Sequence, residues 1–192
     1  MTTIRQEIRQ EKNTDAPARE HLLDAAYGPV RFTKTSERLR EGNDPAAGLA
    51  FVVVEDGRVI GTLRLWPVAA GAGRSALLLG PLAVHPDYRN RGIGSDLMRR
   101  ALRDAKRRGH KAVLLVGDAP YYGRFGFSAA QTGRLWLPGP YEQHRLLGLE
   151  LVPGALGGAR GLIRVPKQPA SKLGPLVAAM AGRSKQPSAQ PA

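Results

Sequence analysis

The sequence predicts an α/β protein organised around one βαβ crossover, and three observations carry that prediction. An apolar run, Ala76 to Val84, leads into an arginine- and glycine-rich turn, Arg89-Asn90-Arg91-Gly92-Ile93-Gly94. The turn opens an amphipathic stretch from about Gly94 to Arg108. Ile93, Leu97, Ala101 and Ala105 share one face, with Met98 and Leu102 beside them, and Arg99, Arg100, Arg103, Lys106 and Arg107 lie opposite. After Gly109 comes a continuous apolar run, Ala112 to Val116, as a strand buried on both faces requires. Strand, turn, helix, strand in this order is a crossover, expected to be right-handed.

The remaining elements are justified in turn. Thr3 to Glu7 is expected as a short first strand. Asp15 to Tyr27 reads as a helix: Asp15 can cap it, Pro17 suits its first turn, and Ala18, Leu22, Leu23 and Ala26 make one face. Gly28-Pro29 stops it. A second short helix is expected over Thr35 to Arg40, closed by Gly42-Asn43-Asp44-Pro45. Leu49 to Glu55 and Val59 to Val68 are β-branched runs around Asp56-Gly57, a hairpin signal. Gly80-Pro81 interrupts the next strand; proline donates no ladder bond, so a bulge or splay is expected there. Asp118 to Arg124 starts a short helix, and Arg134 to Leu137 and Arg145 to Leu151 alternate as strands around a Pro-Gly-Pro loop. Gly161 to Val165 adds a last strand. Pro166 to Ala192 holds five prolines and little to bury, and is expected to be a mostly disordered basic tail, with a transient helical turn over Leu173 to Met180.

Composition narrows the function. The chain has 192 residues, enough for one domain with a sizeable core. With no cysteine there is no disulfide, thiolate nucleophile or cysteine metal site. Met1 to Asn13 is polar, unlike a signal peptide, and no segment approaches the roughly 20 apolar residues of a membrane span. A cytoplasmic protein that does not enter membranes is expected. The net charge of +13 implies a polyanionic partner: nucleic acid, an anionic surface or a phosphorylated cofactor. Part of that charge is local, since Gly157 to Ala192 carries six basic residues and no acidic one.

The turn at Arg89 to Ser95 has its own chemistry. Glycines let backbone N–H groups face outward without a Cβ in the way, and the helix start adds free N–H groups at the positive end of its dipole. That makes an anion cradle suited to two phosphates in tandem.

Leu77 to Phe127 resembles the GCN5-related N-acetyltransferases, the GNAT family. Its signature, Arg or Gln, two residues, Gly, one residue, Gly or Ala, stands here as Arg89, Gly92 and Gly94, after an apolar strand end, Leu82-Ala83-Val84, and at the start of a long helix. The later signature, a tyrosine four residues before Gly-Phe, stands as Tyr122 before Gly126-Phe127. Gly117 to Phe127 looks like the bacterial YhbS-type branch. The resemblance implies the GNAT fold over residues 1–165: a mixed central sheet of about six to seven strands, splayed at its central strands, with helices on both faces. It implies transfer of acetyl from acetyl-CoA to a primary amine by direct attack in a ternary complex, without a metal. The cofactor would contact Leu82, Ala83, Val84, Arg89, Asn90, Arg91, Gly92, Ile93, Gly94 and Ser95. Tyr122 would protonate the departing thiolate. The acceptor would be a small-molecule or peptide amine, and the protein a monomer or homodimer.

Plainer readings stand beside these roles. Tyr122 could pack against Phe125 or Phe127, and Tyr121 is read as core. Many relatives carry asparagine where Leu115 stands. Asp118 could replace that contact or act as a base, but reads first as an N-cap. His85 reads first as a loop residue. Glu37, Glu41, Glu55 and Glu142 are open choices for a base. Acceptor contacts are expected from Tyr27 to Thr33 and Trp136 to Tyr141 by analogy of fold. Two other classes compete: a nucleic-acid- or ribosome-associated basic protein, with the tail as footprint but no recognisable motif, and a non-catalytic acyl-CoA sensor.

Overall fold

The computed structural model describes residues 6–166. Its first strand, β1 (Gln6–Gln10), runs antiparallel to β2 (Ala50–Glu55), with Gln6 opposite Glu55 and Gln10 opposite Phe51. This corrects the expected span of Thr3 to Glu7, whose first three residues lie outside the described ones. The ladder to β2, rather than β1's own polar pattern, sets where this edge strand ends. β2 turns into β3 (Arg58–Ala70) across Asp56 and Gly57, whose φ values of 46° and 81° suit a two-residue hairpin turn. β3 pairs antiparallel with β4 (Ser75–Val84).

The expected crossover follows. Helix α2 (Ile93–Arg107) carries the chain from β4 to β5 (Ala112–Val116), which lies parallel to β4. Ile93, Leu97, Met98, Ala101 and Ala105 are buried against Leu63, Leu65, Leu77, Val113 and Leu147. Asp104, which the amphipathic pattern did not mark, is also buried; Arg100 holds its carboxylate at 2.8 Å. Helix α1 (Ala16–Tyr27) covers the opposite face through Leu22 and Leu23 on Ala83. Ala18 is exposed, and Arg19 takes the place expected for it, its guanidinium paired with Glu11 and Glu20. Asp15 stands at the N-cap, but its carboxylate binds Arg9 and the Lys12 N–H instead of the helix.

After α1 the chain makes two 3₁₀ turns, Pro29–Thr33 and Thr35–Leu39, in place of the expected second helix. Their backbone bonds close over three residues, as from the Arg31 N–H to Gly28 O and from the Glu37 N–H to Lys34 O. A one-turn helix, α3 (Ala119–Gly123), sits where expected. Of the two late strands, β6 is only Leu135–Trp136 and pairs with β8 (Gly161–Arg164), whereas β7 (Leu146–Glu150) lies antiparallel to β5. The open sheet runs β1-β2-β3-β4-β5-β7, with β8 bound to β3 and β6. That is six strands along the main path and eight in all, one more than the upper figure expected. Except for Pro166, the expected tail and its helical turn lie outside the described residues.

Candidate active site

The site is a gap in the middle of the sheet. β4 and β5 face each other at only two positions, Leu77 with Val113 and Leu78 with Leu114. Beyond them β5 stays with β7, Leu115 opposite Leu147 and Val116 opposite Leu146, while β4 turns away. The departure coincides with Gly80-Pro81, a cis peptide, where the ladder to β3 jumps from Leu65–Leu79 to Leu63–Leu82. The extra residue is the bulge the sequence predicted. It also reverses the strand's faces: Leu77 and Leu79 point at α2 before it, Leu82 and Val84 after it. Beyond the slip, the His85 N–H donates to Ile60 O at 2.9 Å. Antiparallel pairs alternate, so Ala83 exchanges bonds with Thr62, and Leu82 and Val84 turn their N–H and C=O groups into the gap.

One end of the gap is the cradle. Asn90 (φ 64°) and Gly92 (φ 80°) are left-handed within the turn, and Gly92 O accepts the first helical bond, from the Asp96 N–H. Among the described residues, none of the N–H groups from Asn90 to Ser95 is donated to a protein acceptor. They surround a hollow bordered by Val84, Arg89, Tyr121 and Arg124. Arg91 does not line it: its side chain is turned away, bound to the buried Glu55 at 2.5 Å and lying over the Tyr88 ring. Ile93 likewise buries its side chain under the sheet. Tyr121, expected in the core, is half-buried and stands over the helix start instead. Its hydroxyl would come within 3.0 Å of a Cβ on Gly94, so a side chain there would push it out of place.

Tyr122 stands farther along the gap, with Leu82, Leu115 and Val116 around it. Its ring packs edge-on to Phe127 and lies so close to Gly117 that a Cβ there would be 2.2 Å from Cε2. Burial pushes the hydroxyl's pKa above the ordinary tyrosine value, and nearby Tyr27 and Tyr121 add to the rise. It therefore keeps its proton through the neutral range, as an acid must. The packing on Phe127 is thus as the plainer reading expected, and the residue also lines the cavity.

The other end is lined by side chains from distant parts of the chain. The Tyr27 hydroxyl donates to Leu82 O, on the free edge of β4. The Trp66 indole donates to Gly80 O at 2.6 Å, fixing the slip. Glu37 from the second 3₁₀ turn, with Lys34 and Arg40 flanking it, completes the wall. Phe32 and Trp136, expected near an acceptor, are 59% and 50% exposed; Trp136 borders a different hollow, beside Arg160. Tyr141 does lie close by, sharing a second hollow with Lys34, Ser36 and Arg145.

The structure sorts the carboxylates. Glu55 is bound to Arg91 and, like the exposed Glu41, lines none of these hollows; Glu142 is exposed beside Arg145 on the second hollow. Glu37 alone of the four is on the wall of the gap, paired with Arg40 at 3.1 Å. Asp118 occupies the N-cap position of α3 without a side-chain cap bond. His85 accepts the Asp87 N–H at 3.3 Å and packs on Tyr88, as a loop residue does. Sequence reasoning missed Lys34, Arg40, Trp66 and Gly117. Only Gly117, small beside a signature tyrosine, carried a local signal.

Comparison with known proteins agrees with this architecture. Residues 9–127 match the Acetyltransferase (GNAT) family. The chain is 31% identical over 157 residues to the uncharacterized N-acetyltransferase YhbS of Escherichia coli K12, covering 81% of this chain and 93% of that protein. Its structure resembles that of YhbS from Escherichia coli in complex with CoA, with a TM-score of 0.73, 30% identity and coverage of 86% and 92%. It also resembles a GNAT family acetyltransferase from Brucella melitensis in complex with acetyl-CoA, with a TM-score of 0.61, 29% identity and coverage of 78% and 90%. The chain belongs to the GNAT acetyltransferase family.

Proposed function

We propose that this chain moves an acetyl group from acetyl-CoA to a primary amine by direct attack within a ternary complex. One observation carries the reading: a cradle of free N–H groups, a strand edge turned from its partner and a half-buried tyrosine lie in sequence along one gap. The cofactor's chemical shape follows the same order, with a pyrophosphate, an amide-bearing arm and a thioester. The N–H groups of Asn90 to Ser95, with Arg89 beside them, would hold the pyrophosphate. Leu82 and Val84 would pair with the arm's amides as a strand edge pairs with a peptide. Ala83 supports the edge by bonding back to β3.

Acetyl-CoA supplies the acetyl group already activated as a thioester. The neutral amine attacks the carbonyl carbon, a C–N bond forms, the C–S bond breaks, and sulfur leaves with the electron pair. Tyr122, on the wall of the cavity, would give the leaving sulfur a proton. Its pKa lies well above the ~8.5 of an ordinary thiol, so complete transfer runs uphill and the help is mainly a hydrogen bond. The acceptor's own proton passes to water or to Glu37. The reading includes one domain over residues 1–165 in a cytoplasmic setting; among the described residues no helix is long and apolar enough to cross a membrane.

The experiment is thermal unfolding with acetyl-CoA, followed by free-thiol release over a panel of amines. Stabilisation with amine-dependent thiol release is expected. Stabilisation without release from any amine would instead point to an acyl-CoA sensor, and no stabilisation at millimolar acetyl-CoA would end the assignment.

A further inference from the structure

We propose that the acceptor amine carries an oxyanion, a carboxylate or a phosphate, seated by Lys34 and Arg40 on the wall of the gap away from the cradle. The inference rests on the acetyl-transfer reading and narrows its acceptor.

Charge matching around the gap singles out these two residues. Arg19, Arg31 and Arg64 are matched by Glu11, Glu20 and Asp24. Arg40 meets Glu37 through a single bond, and Lys34 is left without a match among the described residues. Arg40 is nearly buried, with only 11% of its side chain exposed, yet its guanidinium makes one hydrogen bond, from Nη1 to Glu37 at 3.1 Å. Its Nε is buried with no partner. A planar fork of five donors, mostly desolvated and once satisfied, is a seat for a two-oxygen anion. Lys34 has no carboxylate partner among the described residues; its ammonium lies 4.4 Å from the centre of the Tyr27 ring. Burial lowers the pKa of Lys34, and Arg40 and Arg145 lower it further, so the field here is positive.

That field decides between acceptor classes. A polyamine or aminoglycoside would bring several positive charges into a wall that already has an excess. An amine with its own oxyanion brings the missing charge. The cofactor's phosphates do not account for these residues, because the cradle and the Lys34–Arg40 wall share no lining residue.

The test is thiol release from acetyl-CoA with matched acceptors: L-amino acids against their amides, O-phosphoethanolamine against ethanolamine, and spermidine. At least one anionic acceptor is expected to exceed its neutral partner by about ten-fold or more in kcat/KM, with spermidine below both. Whichever arm responds identifies carboxylate or phosphate as the anion. Lys34→Gln is expected to lower kcat/KM about ten-fold for that acceptor and to leave its neutral partner within about two-fold. Arg40→Met should act more strongly; because Arg40 lies under the Gly80 bulge and that variant can misfold, the exposed Lys34 decides. Equal or better use of neutral or cationic acceptors, no use of any anionic one, or equal loss on both partners in Lys34→Gln would overturn the proposal. Stabilisation by acetyl-CoA, measured without acceptor, keeps its failure separate from that of the acetyl-transfer reading; if stabilisation is absent, both fall.

Discussion

The two ends of the gap between β4 and β5 are built from different materials. The cradle is main chain: six consecutive N–H groups, Asn90 to Ser95, from a single turn and the first turn of α2. The other end, proposed for the acceptor, is side chain: Tyr27 closes α1, Lys34 and Arg40 flank a 3₁₀ turn, Trp66 comes from β3 and Tyr122 from α3. A main-chain site needs only the right dihedral angles and room. A side-chain site needs several elements to pack correctly before any of it exists. The first is expected to resist most substitutions that do not fill it, and the second to respond in small increments to many.

The largest expected effect is at the cradle. Gly92→Glu puts a carboxylate at the helix start, where an anion would sit, and should remove stabilisation by acetyl-CoA altogether. In the wild type that stabilisation is ~2.7 kcal/mol at a hundred times Kd, a shift of several degrees in Tm. Gly92→Ala sharpens the point. No atom lies within 4 Å of the added Cβ, so only the left-handed φ of 80° is strained. A stability loss of ~1–2 kcal/mol with cofactor binding kept is expected. Loss of binding in Gly92→Ala would mean that the cradle needs more than open backbone.

Tyr122→Phe is next. Because full proton transfer to sulfur runs uphill, the loss in kcat should fall near or below the low end of the usual ~10²–10⁴-fold for general acids, with acetyl-CoA affinity unchanged. The raised pKa also has a sign: the protonated hydroxyl is the active form, so kcat should not fall on Tyr122's account as pH rises from 7 to ~10. A full kcat in Tyr122→Phe with chemistry rate-limiting would remove the acid role.

Gly117→Ala tests whether the acceptor end depends on packing. Its methyl group would meet the Tyr122 ring at 2.2 Å, so the ring must move. A stability loss of ~1–3 kcal/mol and a kcat loss no larger than that of Tyr122→Phe are expected, with cofactor binding intact. The smallest effect belongs to deletion of residues 166–192. Both ends of the gap lie within residues 6–166, so acetyl-CoA stabilisation should not change, while any salt-sensitive polyanion binding should weaken. Unfolding of the truncated chain would place structural weight on the tail.

The same contrast explains what could be read from the sequence. The crossover, the hairpin and the bulge at Gly80-Pro81 are set by local chemistry: period, turn residues and a missing donor. So is the cradle, whose glycine spacing fixes it within a few residues. Lys34 and Arg40 could not be read this way. Arg40 ends, and Lys34 precedes, a stretch expected as a short polar helix, and the role proposed for them rests on how few carboxylates among the described residues meet them after folding. Tyr121 was misjudged for the same reason. Nothing adjacent to it in sequence says that Gly94 lies beneath its hydroxyl. β1 extends to Gln10 because β2 offers partners that far.

The unpaired edge of β4 carries a hazard as well as a use. Bare strand edges are templates on which other chains add themselves and aggregate, and proteins usually blunt them with charge or proline. Here the edge lies inside the sheet, with Tyr27 capping one carbonyl from above and α3 standing across the gap. An incoming strand of another protein would need to displace both. A thin, flexible arm with a few amides need not. The gap therefore works as a filter on width, keeping open a sticky backbone surface that a bulky polypeptide cannot easily reach.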